Sequence, residues 1–157
     1  MDAISAGGEA MFRRGLGPLL EGCEHVTPPV PSECPFCRGG RCDLRCADQI
    51  AYLLDQHGDI GAVILETIRC TDAYVPHPEY LSRIREACDH HGTLLILDEI
   101  PLALGRTGRF FAFEHFDVEP DIIVLGKAFG GGMTPMAAIV TRNEYNPALS
   151  ETSVGHY

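Results

Sequence analysis

Four ionisable side chains in this sequence are spaced to share one piece of chemistry. Glu66 follows the apolar run IGAVIL, Asp98 and Glu99 follow TLLIL, and Lys127 follows DIIVLG. If those runs are neighbouring strands, these groups leave their carboxyl ends on one rim, where open α/β sheets bind ligands. A lysine desolvated beside a glycine-rich turn is a nucleophile toward an aldehyde. A carboxylate can keep a pyridine nitrogen protonated, so that the ring accepts electrons. The pair therefore suits a cofactor held as a Schiff base. The turn after the lysine, Ala128-Phe-Gly-Gly-Gly132, lacks the side chains that would keep a flat ring or a phosphate at a distance. On composition alone, solvent-exposed strand termini remain the alternative.

The elements that must position these groups are legible from residue 47 onward. Residues 48–56 (DQIAYLLDQ) place Ile50, Leu53 and Leu54 on one helical face, with His57-Gly58 as a stop. Residues 60–65 form a short apolar run suited to a strand buried on both faces. Residues 78–91 space Tyr80, Leu81, Ile84, Ala87 and Cys88 helically, with Pro78 in the first turn and Gly92 as the cap. Strands are expected over 93–97, 121–125 and 136–141. Such alternation predicts an α/β fold: a mixed, mainly parallel sheet with helices on both faces. Residues 1–46 read instead as an irregular segment rich in Pro, Gly and Cys, with four prolines between Val26 and Pro35.

The chain has 157 residues, 22 acidic and 12 basic side chains, and a net charge of -10, which excludes a generally basic nucleic-acid surface. The absence of an 18-residue apolar run argues against a membrane span, and the start lacks a signal-peptide pattern. The expected compartment is cytoplasmic. Seven cysteines, an odd number, argue against a secreted disulfide framework. Four of them, Cys34, Cys37, Cys42 and Cys46, are close enough in sequence to enclose zinc or an iron–sulfur cluster, but their spacing departs from a zinc ribbon. Free thiols in a loop are the preferred reading, and no metal is assigned. His90, His91 and His115 read as surface residues near helix C-termini.

Several motifs in order carry a resemblance: Leu94-Leu-Ile-Leu-Asp-Glu-Ile100, Gly105-Arg-Thr-Gly108, Phe111-Ala-Phe-Glu114, Glu119-Pro-Asp-Ile122 and Gly126-Lys-Ala-Phe-Gly-Gly-Gly132. Together they resemble the class III aminotransferases, pyridoxal-phosphate enzymes of fold type I. The likeness is specific over 47–142 and weaker in Gly8-Glu-Ala-Met-Phe-Arg-Arg14. In that family the acid of the Asp-Glu pair binds the pyridine nitrogen, and a lysine 29 residues later forms the internal aldimine; Asp98 and Lys127 are 29 apart. The resemblance implies that Lys127 and Asp98 are catalytic and that Lys127, Asp98, Glu66 and Ile100 bind pyridoxal phosphate. It further implies a homodimer moving an amino group from an amino donor to a 2-oxo acid. Residues 47–157 would be part of the large domain. The phosphate-binding turn would lie upstream, and the small domain and a threonine that reaches the partner's cofactor downstream of Tyr157. The isolated chain is then expected to be incomplete, poorly active and prone to aggregate through open sheet edges.

Two departures qualify the activity. The usual Asp-Glu-Val-Gln is here Asp98-Glu-Ile-Pro101, and Pro101 cannot make the glutamine's side-chain bond. The usual Glu-Pro-Val-Gln-Gly-Glu-Gly-Gly is here Glu66-Thr-Ile-Arg-Cys-Thr-Asp-Ala73, with Thr71 where an acid normally pairs with a substrate-gating arginine. Asp98-Glu-Ile-Pro101 and the ending Gly155-His-Tyr157 look more like a subgroup that includes ammonia-lyases acting on hydroxylated aminoethylphosphonates. Transamination is the leading expectation, ammonia elimination the alternative, and a non-catalytic metal-binding or interaction fragment the reading from another class.

Overall fold

The computed structural model describes residues 2–37 and 40–145. The chain-end features Gly155-His-Tyr157 lie outside them. Two short helices, α1 (Asp2–Ala6) and α2 (Ala10–Arg13), open the chain. Then follow α3 (Arg45–His57), β1 (Ala62–Glu66), α4 (Tyr80–His91), β2 (Leu94–Asp98), β3 (Ile122–Leu125) and β4 (Ala138–Thr141). Single 3-10 turns lie at Ala112–His115, Lys127–Gly130 and Asn143–Tyr145.

The sheet has the order β1-β2-β3-β4, parallel except for the antiparallel β4. The helix α4 crosses over between the parallel neighbours β1 and β2, as parallel pairing requires. The helix α3 buries Cys46, Ala47, Ile50 and Leu54, and α4 buries Tyr80, Leu81, Ile84 and Cys88. With Leu95 and Leu97 of β2 they enclose one apolar core. Both helices stop at glycine: Gly58 at φ +69° and Gly92 at φ +66° occupy the left-handed region that L side chains resist.

Three expectations change in detail. The helix predicted over 78–91 starts at Tyr80, because Pro78 and Glu79 form the turn before it. The strand predicted to be buried on both faces, β1, has Ile64 47% exposed; among the described residues it is an edge strand with a neighbour on one side only. The segment 1–46 carries helical turns and is tied into the main core: Cys34 and Leu44 belong to that core, and Val26, Phe36, Cys37 and Cys42 pack against it. On the sheet, alternation sends Leu95 and Leu97 to the helices and Ile64 and Ile139 to the other face, where Ile139 is 71% exposed.

The four clustered cysteines sit where apolar side chains would. Cys34 and Cys46 are buried, and the Cys42 and Cys46 sulfurs are 4.0 Å apart. Among the described residues no group of three or more His, Cys, Asp or Glu is arranged to hold a metal ion. Burial pushes the Cys46 thiol up to about 12, which keeps it a neutral thiol at neutral pH. Cys46→Ser is expected to cost about 1–3 kcal/mol, because a hydroxyl without a strong partner replaces a soft thiol in the core. Thermal melting checks this, and a variant as stable as the parent would remove the thiol from the core's essential packing. Of the histidines, His91 pairs with Asp55 at 3.1 Å. His115 Nε2 lies 3.1 Å from both the Thr107 carbonyl and its hydroxyl, so it ties down the loop after β2.

Candidate cofactor site

The parallel register sets Glu66 beside Asp98 as the last pair of β1 and β2, and Asp98 beside Val124 of β3. Lys127 follows β3 by two residues. The strand-end acids and the lysine therefore share one rim. The rim is electrostatically coupled as well. Burial pushes the Glu66 carboxyl up, and the charges of Asp98 and Glu9 push the same way. The Cys70 N–H, which donates to Glu66 at 3.2 Å, and the charge of Lys127 oppose them.

Asp98 is half-buried and accepts a hydrogen bond from the Ile100 N–H at 2.9 Å, which turns the chain sharply after β2. That turn brings Ile100 against Gly126. A Cβ on Gly126 would meet the Ile100 side chain at 3.2 Å, so any larger residue there would require Ile100 to shift by a few tenths of an ångström. Lys127 itself is exposed and adopts φ +47°, a conformation that costs a non-glycine residue roughly 1–2 kcal/mol. Gly131 and Gly132 also have positive φ and carry the chain away from the rim. Leu44, Ala73, Leu104 and Asp117 share this left-handed conformation elsewhere in the chain, and Lys127 is the one such residue just after β3.

Three features here escaped the sequence reading. Glu99 is fully buried; it accepts the Thr67 hydroxyl at 2.6 Å and the Ala112 and Phe113 N–H groups at 2.9 and 3.0 Å. Alternation could have found it, since Leu95, Leu97 and Glu99 fall on one side of a period-two strand. Arg69 gathers Glu9 at 2.7 Å, Glu33 at 2.9 Å and Asp72 at 3.4 Å. The Arg69 hydrogen bond holds the Glu9 carboxyl below its usual range. Thr71 donates to the same Glu9 oxygen at 3.1 Å. The N-terminal segment thus brings a carboxylate against Thr71, the residue that stands where the resemblance expected an acid. The 60-residue separation of Glu9 and Arg69 left no local signal of this contact.

These residues fit pyridoxal phosphate: an amine, a carboxylate and an aliphatic wall converge at adjacent strand ends, with close backbone approach at Gly126. Known proteins agree with that chemistry. The chain is 45% identical, over its whole length and 36% of the relative, to the (R)-1-hydroxy-2-aminoethylphosphonate ammonia-lyase of Vibrio splendidus. It superposes with a TM-score of 0.87 and 28% identity on an amine transaminase from an uncultivated Pseudomonas species in its PLP-bound form, covering 98% of this chain and 37% of that one. An aminotransferase from Bacillus anthracis gives 0.83 at 30% identity, with 98% and 35% covered. The chain therefore spans about a third of the length of these relatives. Since the class-III aminotransferase pattern matches residues 1–156, the chain belongs to that family of pyridoxal-phosphate enzymes.

Proposed function

We propose that this chain carries the lysine-and-acid half of the cofactor site of an ammonia-lyase acting on a hydroxylated aminoethylphosphonate. Residues 47–157 would form part of the large domain and 1–46 a segment folded onto it. The support for elimination is the 45% identity to the Vibrio splendidus enzyme, well above the 28–30% to the transaminases. Transamination between an amino donor and a 2-oxo acid is the second reading. It is favoured by the same transaminase likenesses and by a site whose lysine and acid serve both reactions. The whole protein would work as a cytoplasmic homodimer.

Pyridoxal phosphate, when bound, supplies an aldehyde that condenses with amines and a ring that takes up electrons. The chain's own residues do the rest. Lys127 Nζ would hold the aldehyde end and would be the nitrogen that takes up or gives a proton. The half-buried Asp98 carboxylate would keep the ring-nitrogen proton in place by ion pairing. Ile100, packed on Gly126, walls that side of the site, and Glu66 orders the opposite strand end.

The deciding experiment supplies (R)-1-hydroxy-2-aminoethylphosphonate and pyridoxal phosphate to the complete protein without any 2-oxo acid. Ammonia release is the expected result. Amino transfer that waits for an added 2-oxo acid would replace the elimination reading with transamination.

A further inference from the structure

The two strand ends that carry Glu66 and Asp98 are tied together just beyond their last ladder pair. Thr67 follows Glu66, and Glu99 follows Asp98. Both are fully buried, and the Thr67 hydroxyl donates to Glu99 Oε1 at 2.6 Å. Alternation turns this pair toward the helix-covered face, while Glu66 and Asp98 stay half-buried on the other. The Glu99 backbone N–H donates to the Val124 carbonyl at 3.0 Å, joining the same residue to β3. Its side chain takes the Ala112 and Phe113 N–H groups, fixing the 3-10 turn Ala112–His115. One carboxylate thus joins β1, the end of β2 and that turn, and the Thr67 hydroxyl and the Ala112 and Phe113 N–H groups all donate to it.

We propose that Thr67 and Glu99 are positioning residues that set the separation of Glu66 and Asp98, and through it the geometry offered to pyridoxal phosphate. The pair touches neither cofactor nor substrate and acts only through its chain neighbours. The part that concerns the cofactor rests on the proposed function; the part that concerns Glu66 and Asp98 does not.

The test compares Thr67→Val, which keeps the branched shape and deletes the hydroxyl, with Thr67→Ser, which keeps the hydroxyl. Two quantities are measured in the complete protein at matched helical content: the titration of the Glu66 carboxyl carbon by NMR, and affinity for pyridoxal phosphate by absorbance. The groups facing Glu66 are the Cys70 N–H, Asp98, Glu9 and Lys127. Thr67→Val is expected to move the Glu66 midpoint toward that of an ordinary carboxylate as Asp98 draws away. It should also weaken cofactor binding about tenfold, the scale of one lost charge-assisted hydrogen bond. Thr67→Ser should restore both. A Thr67→Val protein that melts lower but titrates and binds as the parent does would make the pair merely structural and overturn the proposal. If the complete parent protein binds no pyridoxal phosphate, the cofactor reading fails, and the Glu66 titration still decides whether the pair positions the acids.

Discussion

Replacing Lys127 by alanine is expected to erase the near-visible absorbance of lysine-bound pyridoxal phosphate and to lower turnover of the complete enzyme by about 10²–10⁴-fold or more. That range is the usual contribution of one positioned proton-transfer group, and here the same nitrogen would also hold the cofactor. The fold should survive. Lys127 is exposed, and alanine at φ +47° meets the same backbone cost that lysine already bears. Lys127→Arg separates charge from chemistry, because a guanidinium stays protonated and is no nucleophile at neutral pH. It should lose the band and the turnover while preserving the positive charge felt at Glu66. Persistence of the band in either variant would show that the cofactor is held elsewhere and would remove Lys127 from the role.

The rim was legible because its residues leave apolar runs whose period and length announce buried strands. The observed register then pairs Glu66 with Asp98. What escaped notice depends on contacts distant in sequence. Arg69 meets Glu9 across 60 positions and Thr67 meets Glu99 across 32, separations at which pattern carries no signal. The short helices Asp2–Ala6 and Ala10–Arg13 escaped for another reason. Four or five residues cannot sustain a helix by propensity, so they exist only where packing and contacts such as the Leu20 N–H to the Ser5 hydroxyl hold them. The exposure of Ile64 was hidden because an edge strand and a central one can share the same apolar run.

The largest expected loss of stability comes from Asp121, on the rim opposite the lysine. Its backbone N–H donates to the Leu95 carbonyl at 2.9 Å, and its side chain accepts the Leu95 N–H at 2.8 Å, so one residue closes both halves of a clamp between β2 and β3. Arg85 reaches the same carboxylate at 2.7 Å and Arg142 at 3.5 Å. Burial alone would push the Asp121 carboxyl up, but the Leu95 N–H and the two arginines outweigh it and hold it below the usual range. Asp121→Ala should therefore cost about 3 kcal/mol, at the low end for breaking a buried pair because Arg85 keeps Asp89 at 2.7 Å. At this chain length the melting temperature should fall by roughly 6–12 °C. The sign of the pH dependence follows from the lowered value. A depressed carboxyl contributes stability that is complete above its unfolded value of about 3.9 and is lost as pH falls through the folded one. The gap between parent and Asp121→Ala should thus be full at pH 7 and narrow below about pH 4; an equal gap at both would assign the loss to packing instead of charge. Because this clamp sets the register that places Asp98 beside Val124, two residues before Gly126 and three before Lys127, the variant should bind pyridoxal phosphate less well even at temperatures where it remains folded.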